Sequence, residues 1–199
     1  ETIHEVAEMG FAQGGRLLAV RCRSTSNAPW RTIFFNLRDG RWSRNETLEL
    51  PDSNWLAFAH DGGRMAVGLD DGSVLLSSPE PGDSRRLRLD ESARPISAGF
   101  SADGTSLATG WSDGRIVVWN IADGRAEASL KCLDGPPSYV AFCRGGRGLV
   151  VLEWSRTLAI HGLGIAASRR TLKTTGAAPT RLETSPGGDA LVAGFDSQP

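Results

Sequence analysis

Apolar and polar positions alternate along this chain in short runs, and Asp-Gly or Gly-Gly pairs separate the runs. The pattern is clearest from Phe100 to Gly124, FSADGTSLATGWSDGRIVVWNIADG, where Asp103, Asp113 and Asp123 each precede a glycine at ten-residue spacing. Between the pairs lie SLATGW and RIVVWNI, rich in β-branched and aromatic residues. Asp and Gly enter the positive-φ region that tight hairpin turns need at little steric cost. Three such turns predict a four-stranded antiparallel meander of roughly 40 residues. No 3.6-residue period competes anywhere, so the fold class expected is all-β.

The meander recurs. Phe100-Ser-Ala-Asp-Gly has counterparts beginning at Phe11, Phe58, Phe142 and Thr184, at successive intervals of 47, 42, 42 and 42 residues. A polar insertion, SNAPW at 26–30, accounts for the longer first interval. Two residues before each anchor stand Met9, Leu56, Ala98, Val140 and Leu182, and one before it Gly10, Ala57, Gly99, Ala141 and the exception Glu183. Successive strand residues point to opposite faces, so this strand has a bulky face and a small face that can interdigitate when sheets stack. The next strand repeats Leu18, Met65, Leu107, Leu149 and Leu191, then Val20, Val67, Thr109, Val151 and Ala193.

Repeats of 42 residues with F-S-x-D-G, L-A-x-G, S-D-G and V-W-N resemble those of the WD-repeat β-propeller family. Val118-Trp119-Asn120 is similar to its terminal Trp-Asp signature, with Asn in place of Asp; Phe35, Ser77 and His161 occupy the Trp column elsewhere. The resemblance implies four-stranded radial blades at about 3–51, 52–92, 93–134 and 135–177, with a half-blade at 178–199. It also implies structural roles for Trp119 and for the turn aspartates Asp71 and Asp113, which Ser155 and Ser197 replace later in the chain. The histidine that partners this Asp in the family has no match before the third repeat, so apolar packing is expected to carry more of the stability. Propellers avoid exposed blade faces by closing into rings of about 4–8 blades. The remaining blades are therefore expected from further chain or another subunit.

Composition narrows the chemistry. A net charge of −1 over 199 residues gives no electrostatic footprint for nucleic acid or an anionic membrane. No apolar run reaches membrane-spanning length and no signal-peptide pattern opens the chain. Arg85-Arg86 and Arg169-Arg170 fall in outer strands and are expected on solvated faces. Cys22, Cys132 and Cys143 lack CxxC spacing, which fits reduced thiols in a cytoplasmic protein. Only Lys131 and Lys173 are lysine among 22 basic residues, a bias suggesting GC-rich, bacterial coding. The chain opens at Glu1 and is expected to be part of a longer multidomain protein.

Apparent catalytic motifs dissolve in the repeat register. Gly110-Trp111-Ser112-Asp113-Gly114 fits the G-x-S-x-G nucleophile elbow, but a strand rather than a helix follows it. Gly162-Leu-Gly-Ile-Ala-Ala167 resembles a dinucleotide fingerprint, yet aligns with a turn between outer strands. His4, His60 and His161 have no metal-ligand spacing, and turn chemistry accounts for Asp61, Asp71, Asp103 and Asp113. No catalytic residue, cofactor or metal is expected.

Trp55, Tyr139 and Arg181 share one column, with Glu8 and Ser97; Trp111 shares another with Leu69, Glu153 and Phe195. In the family these columns lie near the top rim, where partners commonly dock. Trp55, Trp111, Tyr139 and Arg181 are thus candidate contacts for a protein partner or adjacent domain. The competing reading packs the aromatics between blades. The leading expectation is a non-catalytic interaction, scaffold or sensor module. A propeller enzyme, hydrolase or lyase, with its site at the channel mouth is the alternative, and nucleic-acid binding through rim arginines is a weaker third.

Overall fold

The computed structural model describes residues 3–12, 15–51, 53–77, 84–90, 92–164, 168–172, 179, 181–185 and 189–194. These fold as strands without an α-helix, in two compact units, Glu1–Pro95 and Ile96–Pro199. The first unit holds two sheets. One is β1 (Glu5–Ala12), β2 (Leu17–Arg23), β3 (Arg31–Arg38) and β4 (Arg41–Pro51); the other is β5 (Ser53–Phe58), β6 (Met65–Leu69), β7 (Val74–Ser77) and β8 (Ser84–Leu87). The second unit holds β9 (Pro95–Phe100), β10 (Ser106–Trp111), β11 (Arg115–Asn120) and β12 (Ala126–Lys131) in one sheet. A further sheet comprises β13 (Pro137–Cys143), β14 (Gly148–Glu153), β15 (Leu158–Gly162) and β16 (Arg169–Leu172), and a hairpin comprises β17 (Arg181–Thr184) and β18 (Leu191–Gly194). Each four-stranded sheet is an antiparallel meander in chain order, so four blades and the start of a fifth are present.

Turn chemistry sets the meander. Gly104, Gly114 and Gly124 have φ of 69°, 88° and 73°, the left-handed region open to glycine. The preceding Asp103, Asp113 and Asp123 each accept, through Oδ1, the N–H two residues on, at 3.1, 3.0 and 2.9 Å. These side-chain bonds close the turns that the Asp-Gly pairs predict.

Within each unit the blades stack through the two faces read from the sequence. In the first, Leu17 and Ala19 of β2 and Phe34 of β3 form one buried cluster with Leu56 of β5 and Met65, Val67 and Leu69 of β6. In the second, Ala108, Ile116 and Val118 meet Val140 and Phe142 of β13 and Leu149 and Val151 of β14. The small face lets the inner strands close up. A Cβ added to Gly10 would stand 2.6 Å from the Phe58 ring, and one added to Gly99 would stand 2.6 Å from the Val140 carbonyl oxygen.

The other face of the first blade differs. Met9, Val20 and Ile33 lie in one cross-strand row and Phe11, Leu18 and Phe35 in the next. Val20, Cys22 and Ile33 are buried, but Met9 and Phe11 are 65% and 58% exposed, with the Phe11 ring 6.0 Å from Trp42. Their counterparts Val140 and Phe142 are 1% and 6% exposed because the preceding blade covers them.

Backbone, unlike a flexible side chain, cannot yield easily at Gly99. Gly99→Val should lower stability by about 1–3 kcal/mol in denaturant unfolding, the usual range for overpacking.

Candidate interaction edge of the blades

Within a blade, the start of the first strand, the turn between second and third strands and the loop into the next blade share one end. At this end β1, β5 and β13 each carry a bulge, between Val6 and Glu8, Ser53 and Trp55, and Pro137 and Tyr139. A bulge re-aims the residue after it. These are the columns that the sequence singles out.

The bulged column ties blades together. Glu8 pairs with Arg21 at 3.2 Å and accepts the Leu56 N–H at 3.0 Å, while Arg21 Nη1 donates to the Ser53 carbonyl at 3.3 Å. Burial raises the Glu8 pKa, opposed by the Arg21 charge and the Leu56 N–H. Beside this pair, Thr32 and Ser53 share a buried hydroxyl–hydroxyl bond of 3.0 Å. Trp30, from the SNAPW insertion, lies 4.6 and 4.7 Å from the Arg21 and Arg23 guanidinium carbons. In the second unit Ser97 Oγ donates to the Pro137 carbonyl at 2.7 Å.

Trp55 is 6% exposed and its indole lies against Gly68, its register partner, where any Cβ would collide with it. Trp111 is fully buried. Its indole N–H donates to Thr109 Oγ1 at 2.8 Å, and that of Trp119 donates to the same oxygen at 2.7 Å. Thr109, the one hydroxyl in an apolar column, is therefore a hub between two indoles whose rings are 6.5 Å apart. These burials place Trp55 and Trp111 on the packing side of the two readings. Tyr139 is half-buried against Cys143, Val150 and Leu152. Arg181 opens β17 opposite Gly194, and its side chain lies outside the described residues, as does Phe195.

Asp71 accepts bonds from the Ser73 hydroxyl and, at 2.9 Å, the Ser73 N–H. The Ser73 hydroxyl is the main cause that lowers its pKa, with Arg86 and Arg88 adding at 2.8 and 3.3 Å. Asp113 pairs with Arg115. Ser112 sits in the turn closed by Gly114 N–H to Trp111 O at 2.9 Å, and β11 returns antiparallel to β10 where an elbow would need a helix. Gly162 N–H donates to Ser168 O at 2.6 Å, closing a hairpin at the apparent dinucleotide fingerprint; residues 165–167 lie outside the described ones.

The fourth blade holds a polar cluster that the sequence did not announce. Glu153, in the Trp111 column, is 1% exposed and accepts the Asp134 N–H at 2.6 Å and Arg169 Nη2 at 3.1 Å. Arg169 also reaches Asp134 at 2.9 Å and is partly exposed, while Arg85, Arg86 and Arg170 are exposed. Burial, reinforced by the Glu153 charge, pushes the Cys132 thiol up to about 12. Cys22, Cys132 and Cys143 are all free and buried. Among the described residues no three His, Cys, Asp or Glu side chains gather as a metal site, and no helix is long and apolar enough to cross a membrane.

The 42-residue repeats and the antiparallel four-stranded sheets together make this the fold of a WD-repeat β-propeller. Among solved structures, the β-propeller domain of Cps50 (Swd1) from Myceliophteria thermophila is similar, with a TM-score of 0.66 and 17% identity over 95% of this chain. The chain spans 66% of that structure's length. No family model and no curated protein matches the sequence.

His161 faces Arg169 and Glu153, and burial, then the Arg169 charge, lowers its pKa below 6.5 while Glu153 opposes. The unfolded histidine takes up a proton near pH 6.5, and the folded one only at lower pH. Stability is therefore complete above that value and falls as pH drops through and below it. His161→Leu should flatten the loss between about pH 7 and 5 in thermal unfolding relative to wild type; parallel curves would contradict the assignment.

Proposed function

We propose that the chain is a non-catalytic interaction module, a scaffold or sensor segment that docks a protein partner on the turn-bearing edges of its blades. The observation that carries this reading is at the fourth blade, where Leu133 and Trp154 are 72% and 64% exposed at that edge. Large aromatics dominate the binding energy of protein interfaces. The Gly110–Gly114 motif, the strongest feature on the side of an enzyme, is used up by hairpin geometry.

A second contact surface is the face carrying Met9 and Phe11. The equivalent faces of the second and fourth blades are covered by the second and third strands of a preceding blade. The occupant that fits it is thus another blade-like sheet, whether from further chain or another subunit.

Hydroxyl-radical footprinting of the protein isolated with its partner tests both surfaces. Oxidation of Trp154 should fall at least several-fold on partner binding, and Met9 should be protected wherever a further blade is seated. Protection restricted to the outer strands, such as β12, with Trp154 unchanged, would overturn docking on the edge.

A further inference from the structure

We infer that the edge of the fourth blade docks an acidic linear segment of a protein partner, in which a large apolar side chain stands next to a carboxylate. This rests on the interaction-module reading and specifies its partner's chemistry.

The edge is built from two adjoining pieces. The turn Glu153–Arg156 follows β14, and residues 132–136 lead from β12 into β13. Trp154 N–H donates to Pro136 O at 2.9 Å, Asp134 N–H donates to Glu153 Oε2 at 2.6 Å, and a Cβ on Gly135 would stand 3.7 Å from the Trp154 Cβ. The bonds of buried Glu153 to Arg169 and the Asp134 N–H thus fix the loop against the turn while Leu133 and Trp154 face solvent.

Neither apolar residue is demanded by the repeat. The positions equivalent to Trp154 are Asp70 and Ser112. Arg156 is equally unneeded by the fold. It has φ 66° where the second and third blades have Gly72 and Gly114 at 80° and 88°. A side chain in this region carries strain that glycine avoids, and such strain concentrates at functional positions.

Charge then selects the partner. Asp113 is paired with Arg115, and Asp134 and Glu153 are paired with Arg169. Lys131, placed at the same edge by the Cys132 N–H to Gly114 O bond, and Arg156 have side chains without hydrogen bonds or ion pairs among the described residues. Counted together, Arg115, Lys131, Arg156 and Arg169 against Asp113, Asp134 and Glu153 leave this edge at a net charge of +1, and its two cations without a carboxylate are Lys131 and Arg156. An apolar residue on Leu133 and Trp154 with a carboxylate on Arg156 or Lys131 satisfies all four.

A random peptide library displayed on phage, panned against the intact protein, tests this, with the selected peptides labelled and titrated by fluorescence anisotropy. Selected sequences should place Asp or Glu beside Leu, Phe or Trp, and binding should weaken as salt rises. Trp154→Ala and Arg156→Glu should each weaken binding about tenfold or more. Arg156→Gly suits the turn better than the native residue, so weaker binding by that variant cannot come from misfolding. Peptides that bind all three variants equally, or that are basic or neutral, would overturn this inference. If footprinting still protects another turn edge, the interaction-module reading survives that outcome. Selection of no peptide would overturn docking of a linear segment.

Discussion

The inner strands of stacked blades approach until nothing larger than hydrogen fits between them at two places. Gly10 lies against the Phe58 ring, and Gly99 against the carbonyl of Val140. The Val140 carbonyl is fixed in its strand, and the partly buried Phe58 ring can move aside only by giving up its packing against the Leu17–Phe34 cluster. The seam brings the clusters around Phe34 and around Val118 into contact with the next blade. It also holds the bulged ends of the first strands where they can be bonded across.

Those bonds are made differently in each place. Glu8 bonds across to Leu56, Thr32 to Ser53 and Ser97 to Pro137, whereas the Thr109 hub lies within the third blade and Glu153 and Arg169 hold the loop that enters the fourth; these groups share no residue type throughout. Apolar packing is therefore not alone in holding the blades. Buried polar groups need partners more than they need any particular partner, so local replacements suffice. In the fourth blade Ser155-Arg156 stands where the second and third blades have Asp-Gly, and Trp154 beside it is exposed.

The blades were legible because spacing is a covalent property: equal intervals of 42 residues and alternating columns specify strands, faces and turns. The columns also converge on the turn-bearing end of each blade. They could not say which way a residue on a bulge points, and so Trp55 and Trp111 carried two readings until their burial was known. Glu153 and Arg169 were hidden for a related reason. Their bond joins residues 16 apart through an intervening strand, and an isolated Glu in an apolar column carries no mark of its partner. Trp154 and Arg156 could have been noticed from the sequence, as the departures from Asp70-Asp71-Gly72 and Ser112-Asp113-Gly114 in an otherwise regular turn.

The dependence of blade stacking on the glycine seam is tested most directly by a double-mutant cycle between Gly10→Ala and Phe58→Ala, with stability read from denaturant unfolding. Removing the ring should make room for the added methyl group. The double variant should then be more stable than the sum of the two single effects by about 1 kcal/mol or more, within the range of coupling between touching residues. Additive effects would show that the two residues do not limit each other, and would contradict the account.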